Sequence, residues 1–253
     1  MKTDLVILKH SLWLIFAHPL QSLKVVAPGV LVFVGAIFLT GPAIFSGGAL
    51  HTDALFSTAL LLQFLLTLVA AVVVAVMWHR HALLQGARRA GVMRPPLAAY
   101  GRYIGYSVLI GLIVLAVYLP LGWGVGMVGT YAFDFFSNAQ LVAGLLMGLV
   151  MVMVSMWLIF RLGLILPSAA LNQPIGLLRS WQATRPVQFM ILRLILLLWL
   201  LSIGLNVALT PVVHAFPLWA IPIEFGLSFV QMLAFLSLLS TLYAHLIEGR
   251  DLG

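Results

Sequence analysis

Six continuous apolar runs govern what this chain can fold into. They lie at about 25–46, 55–78, 103–123, 140–166, 187–209 and 219–246. Each is close to the ~20 residues that a helix needs to cross the hydrocarbon core of a bilayer. Their continuity excludes outer-membrane strands, which alternate in segments of about ten residues. Charged residues make up only 8% of the 253 and hydrophobic residues 63%. Soluble domains carry about 25% charged residues, so a soluble fold would have too few charges to cover this apolar surface. The expected fold is all-α: one polytopic membrane domain over 1–253 with six transmembrane helices.

The basic residues set the expected topology. Lys2, Lys9 and Lys24 precede the first run, and Arg80, Arg88, Arg89, Arg94 and Arg102 lie between the second and third. Arg161, Arg179, Arg185 and Arg193 lie at or between the ends of the fourth and fifth, and Arg250 follows the sixth. With both termini cytoplasmic, all 13 Lys and Arg fall on the cytoplasmic side, as the positive-inside rule requires. The net charge of +7 therefore reads as a topology signal. Nucleic acid is not an expected partner, because no basic run alternates with aromatics as a base-stacking surface would.

Residues 3–18, TDLVILKHSLWLIFAH, form a separate short element. Asp4, Ser11 and His18 recur every seven residues and make one narrow polar stripe on a helix. An amphipathic helix lying flat at the cytoplasmic interface is expected, ended by Pro19; a buried or re-entrant segment is the alternative. No small-x-small site follows, so no cleaved signal peptide is expected.

Several motifs invite a chemical reading. Gly124-Val125-Gly126-Met127-Val128-Gly129 matches GxGxxG, but that fingerprint needs a strand before it and a helix after it. These glycines instead read as loosening a helix end or an outer turn. Gly101/Gly105 and Gly144/Gly148 are small-xxx-small pairs, expected to bring helices together within the chain, with dimerisation as the other use. His79 and His81 point to different helix faces, whereas His51 and His214 fall in separate outer loops. There is no cysteine, which removes disulfides and thiolate metal sites. No cofactor is expected.

Acids are scarce within the runs, and proton relays place Asp or Glu there. Asp53 and Asp134 fall in outer loops, and Glu224 follows Pro222 near a helix start. No GxSxG or HExxH occurs, so the chain does not read as an enzyme. The runs ending at Trp78-His79-Arg80, Phe160-Arg161 and Tyr243-Ala244-His245 share an aromatic followed by a basic residue or His. Three parallel hairpins would give this pattern, and so would ordinary interfacial enrichment.

The two cytoplasmic loops carry the densest signal. In 78–103, Pro95-Pro96 separates two helical pieces, and the arginines suit anionic headgroups. In 160–186, Pro167 should end or kink the fourth span, and Asn172-Gln173-Pro174 is a turn. Ser180 and Thr184 share a helix face and can bond to backbone or to a neighbouring helix.

Trp78-His79-Arg80 with Leu83-Leu84 resembles a "WHR…LL" stretch of bacterial six-span membrane proteins. Arg161, Pro167, Ser180-Trp181 and Thr184 resemble their "RL…P…G…SW…T" stretch. The group is similar to YciC-type proteins and to the membrane domain found beside glycerophosphodiester phosphodiesterases. Gln85-Gly86 stands where an acidic residue often follows the "LL" pair. The resemblance implies a multi-pass protein of the bacterial inner membrane and supplies no catalytic residues.

The expected role is non-enzymatic: envelope, lipid-associated or assembly. Arg80, Arg88, Arg89, Arg94, Arg102, Arg161, Arg179 and Arg185 would meet anionic membrane lipid or a partner. Two alternatives remain. One is an ABC-2-like permease subunit whose ATPase docks on 79–102. The other is an accessory subunit held by another membrane protein.

Overall fold

The computed structural model describes residues 2–45, 58–84, 95–132 and 137–251. Helices form almost all of it, and no strand occurs among these residues. In chain order they are α1 (Lys2–Phe16), α2 (Pro19–Phe45), α3 (Thr58–Leu83), α4 (Leu97–Ala132), α5 (Ser137–Leu162) and α6 (Ile165–Ala170). Then follow α7 (Leu177–Thr184), a 3-10 turn over Arg185–Val187, α8 (Gln188–Ala215), a second 3-10 turn over Pro217–Trp219, and α9 (Ala220–Leu246).

Five segments are long and apolar enough to cross a membrane: Pro19–Thr40, Thr58–Leu83, Leu97–Gly124, Leu177–Ala215 and Pro217–Leu246. The chain is a membrane protein. The fourth apolar run forms α5, whose 26 residues extend about 39 Å at 1.5 Å per residue. Its stretch Leu146–Leu162 is apolar and shorter.

Burial concentrates at one end of the helices. The last turns of α3 and α5 are buried, as are all of α6, the first turns of α8, and α9 from Leu233 to Ala244. The far halves of α4, α8 and α9 expose large side chains such as Leu112, Trp123, Val207 and Ile221. Lipid tails solvate such surfaces as well as other side chains do, so a membrane protein needs no apolar core there.

Where α2 and α3 pair, the contact is set by one glycine. A Cβ on Gly29 would come within 2.4 Å of Val74 Cγ2 and 2.8 Å of the Ala70 carbonyl. Among the described residues, nothing lies within 4 Å of a Cβ at Gly101, Gly105, Gly144 or Gly148. Among the described residues, no neighbour packs against those small-xxx-small pairs, which were expected to bring helices together within the chain. Helix rotation turns them toward open space.

Three boundaries also depart from expectation. The fourth run breaks at Gly163, where a Cβ would lie 2.3 Å from the Ile159 carbonyl. Pro167 then sits in the first turn of α6, where a missing N–H costs nothing, so it neither ends nor kinks α5. Residues 124–129, expected at a helix end or outer turn, lie inside α4, which continues past Pro120 to Ala132. Proline is tolerated in membrane helices because neighbours can re-satisfy the freed carbonyl. Finally, two of the three residues of the expected polar stripe turn inward, while His18 is exposed and lies past the end of α1. Asp4 and Ser11 are buried beside Ile7 and Ile15, while Leu5, Trp13 and Phe16 face outward.

Candidate functional site

The packed end gathers Arg80, Arg102, Arg161, Arg179 and Arg185, the described members of the basic set that the sequence singles out. It is assembled around α9. Trp78 Nε1 donates to Ser237 Oγ at 3.0 Å. Ser11 Oγ bonds Thr241 Oγ1 at 3.1 Å, tying α1 to the same helix. His79 Nδ1 lies 2.8 Å from Ser240 Oγ, and its Nε2 lies 3.4 Å from Tyr103 Oη.

The hydrogen bonds around that Ser–His contact assign its protons. The single hydroxyl proton of Ser240 goes to the Leu236 carbonyl at 2.9 Å. His79 must then donate from Nδ1 and accept from the Tyr103 hydroxyl at Nε2, a neutral imidazole with both nitrogens satisfied. His79, Ser240 and Tyr103 are all buried. The arrangement locks α3, α4 and α9 together.

The arginines do something the sequence does not announce: three of them meet the ends of helices. Arg80, 2% exposed, donates from Nη1 to the carbonyl of Ala170, the last residue of α6, at 2.7 Å. Arg250 donates from Nη2 to the carbonyl of Leu83, the last residue of α3, at 2.8 Å. Arg161, 3% exposed, donates from Nη2 to the Trp181 carbonyl in the last turn of α7 at 3.1 Å. A helix C-terminus leaves carbonyls unpaired and carries roughly half a negative charge. These guanidinium groups therefore find counter-charge in backbone carbonyls, and Arg250 also pairs with the Glu248 carboxylate at 2.7 Å.

Arg161 is the one of the three stacked on aromatic rings. Its guanidinium lies 3.5 Å from the ring centroid of Trp181 and 5.0 Å from that of Trp157. Its own carbonyl accepts from Ser180 Oγ at 2.7 Å, and Thr184 Oγ1 bonds the Ser180 carbonyl at 2.9 Å. Thus Arg161, Ser180, Trp181 and Thr184 form one contiguous joint between α5 and α7. Pro167 belongs to the neighbouring α6, whose Ser168 Oγ accepts from the Ile175 N–H at 3.2 Å and shapes the chain toward α7.

The remaining arginines differ. Arg102, Arg179 and Arg185 are exposed. Arg102 Nη1 reaches Asn172 Oδ1 at 2.7 Å, and Asn172 takes a left-handed turn conformation with φ of 60°. Arg88, Arg89 and Arg94 lie outside the described residues, as do His51, Asp53 and Asp134. Arg193 forms a salt bridge with Asp4 at 2.6 Å, joining α8 to α1. The hydrogen bond from Arg193 holds the Asp4 carboxyl below its ordinary value.

Position 178 begins a surface stripe. Leu178, Gln182, Arg185 and Phe189 recur at helical spacing over the continuous helical segment from Leu177, and all four are exposed. Leu178 and Phe189 are 68% and 67% exposed, with Arg179 and Arg185 between them. Large apolar side chains standing beside cations match the boundary between headgroups and tails.

Sequence reasoning missed the role of Ser237, Ser240 and Thr241. The only signal was their clustering in the otherwise apolar LSLLSTLY. No family model, curated protein or solved structure matches the chain.

Proposed function

We propose that the chain is a non-enzymatic, six-span protein of the bacterial inner membrane with both termini cytoplasmic. Its packed basic end holds anionic lipid headgroups, in an envelope, lipid-associated or assembly role. The resemblance to six-span inner-membrane proteins and the one-sided distribution of Lys and Arg support the location. A 26-residue α5 supports the sixth span.

The observation that carries the lipid reading is the exposed pair Arg179 and Arg185 set between exposed Leu178 and Phe189. The apolar side chains enter the tails, while the guanidinium groups stay at headgroup level and pair with phosphate. Arg102 adds a third exposed cation. Arg80 and Arg161 support this surface from within, by fixing α6 and α7, rather than by touching lipid.

The test is native mass spectrometry of protein released from vesicles of equal phosphatidylglycerol and phosphatidylethanolamine. Each cation near an anionic surface is worth ~1 kcal/mol, roughly fivefold in affinity. Arg179→Gln with Arg185→Gln should thus lower phosphatidylglycerol retention by about twenty-five-fold on that scale, and phosphatidylethanolamine retention hardly at all. Unchanged retention would overturn the reading. A stoichiometric ATPase copurifying with the chain would replace it with a permease.

A further inference from the structure

An apolar cavity of about 530 Å³ lies between α1, α5, α8 and α9, within the size range of small-molecule sites. Leu12 and Phe16 of α1 and Phe160 of α5 close it toward the packed end, and Trp199 forms part of its α8 wall. The lining is hydrocarbon and aromatic with two polar exceptions, Ser202 and Gln231.

Gln231 is the informative one. Its Nε2 is buried and has no hydrogen-bond partner among the described residues. The residue sits about 17 Å along α9 from its start, at 1.5 Å per residue, well inside the span. An unpaired donor at mid-span, in the hydrocarbon of a bilayer, is costly. A purely hydrocarbon occupant would leave the donor unsatisfied. A lipid phosphate would be drawn to the basic end, not to mid-span.

We propose that this cavity binds an uncharged membrane-soluble lipid carrying a carbonyl within its apolar part, with that oxygen accepting from Gln231 Nε2. The alkyl portion fills the space between Trp199 and the α1 residues. Volume sets the size of the guest, and the single donor sets its chemistry. No bond is made or broken.

The probe is 2-dodecanone, an apolar chain with one ketone. The full chain is placed in nanodiscs of ether-linked lipid, so that no ester carbonyl obscures the infrared spectrum. Spectra of empty nanodiscs with the same ketone are subtracted. The wild-type chain should show a saturable, hydrogen-bonded ketone band, shifted to lower wavenumber, at one ketone per chain. Gln231→Leu should lose that band while melting as a folded protein, since replacing an unpaired polar group by an apolar one of similar shape relieves a cost. Ala234→Phe, which fills the cavity from α9, should lose it too. No saturable band in the wild type, or a band that persists in Gln231→Leu, overturns the proposal. Full binding by Ala234→Phe would place the ketone elsewhere and overturn it as well.

Discussion

Replacing Arg161 with alanine should be among the most damaging changes available to this protein. The side chain has no carboxylate partner among the described residues, so a reading based on salt bridges would assign it little. The geometry assigns it much. Its guanidinium is 3.5 Å from the Trp181 centroid, and a desolvated cation–π contact of that kind is worth about 2 kcal/mol. The Trp157 contact at 5.0 Å adds about 0.5–1 kcal/mol. The bond to the Trp181 carbonyl at 3.1 Å is charge-assisted, worth about 1.5–3 kcal/mol. The bonds to Thr184 and Gln188, at 3.4 and 3.5 Å, are long and are given no weight. These contributions share one group and do not add fully, so Arg161→Ala should cost about 4 kcal/mol. Arg161→Lys keeps the charge and one donor but loses the planar stack, and should cost about half as much. The assay is reversible unfolding in mixed micelles by SDS titration, read by far-ultraviolet circular dichroism. Arg179→Gln, on the exposed surface, is the control and should stay within about 0.5 kcal/mol of wild type. The reasoning fails if Arg161→Ala also stays within that range, or if lysine is worse than alanine.

Two further outcomes follow from the packing. Gly29→Ala should destabilise the chain in the same titration, because the added methyl meets Ala70 backbone at 2.8 Å. Gly105→Ala meets nothing and should be neutral, or gain up to about 1 kcal/mol of helix propensity. Acidification should loosen α1 from α8. The carboxyl of Asp4 is held below its ordinary 3.8 by Arg193, so the folded state binds the proton less readily than the unfolded one. The stabilisation is present at neutral pH and is lost as pH falls below about 4. Protease cleavage near the N-terminus should rise in that window, and Asp4→Asn should remove the pH dependence.

The six runs were legible because a bilayer demands long apolar helices, and the fourth run, now α5, formed a helix like the rest. What sequence could not supply was rotation about each helix axis. Gly101/Gly105 and Gly29 are all glycines in apolar helices, and nothing in their neighbours says which one faces a partner. The stripe of Asp4 and Ser11 is visible in the sequence, but spacing alone does not say whether it meets the aqueous side of the interface or a neighbouring helix. Here Trp13 and Phe16 face outward and Asp4 meets Arg193. Pro167 outranked Gly163 as a breaker because proline is disruptive in a helix interior, yet α6 receives it in its first turn. Trp78, His79, Arg80, Arg161, Ser180, Trp181 and Thr184 stand out through the resemblance to six-span membrane proteins, and the structure gathers them at one end. Their use as partners of helix C-termini depends on α6 and α7 folding back, which no local pattern encodes.

The central claim is that this packed, arginine-rich end faces the cytoplasm, where anionic headgroups meet Arg179 and Arg185. The chain contains no cysteine, so single cysteines report without background. Gln182 on the exposed stripe and Leu218 at the opposite end are both exposed. Spheroplasts carrying Gln182→Cys or Leu218→Cys would be treated with a membrane-impermeant maleimide, before and after lysis. The account predicts that Leu218→Cys reacts in intact spheroplasts and Gln182→Cys only after lysis. The reverse pattern would contradict it.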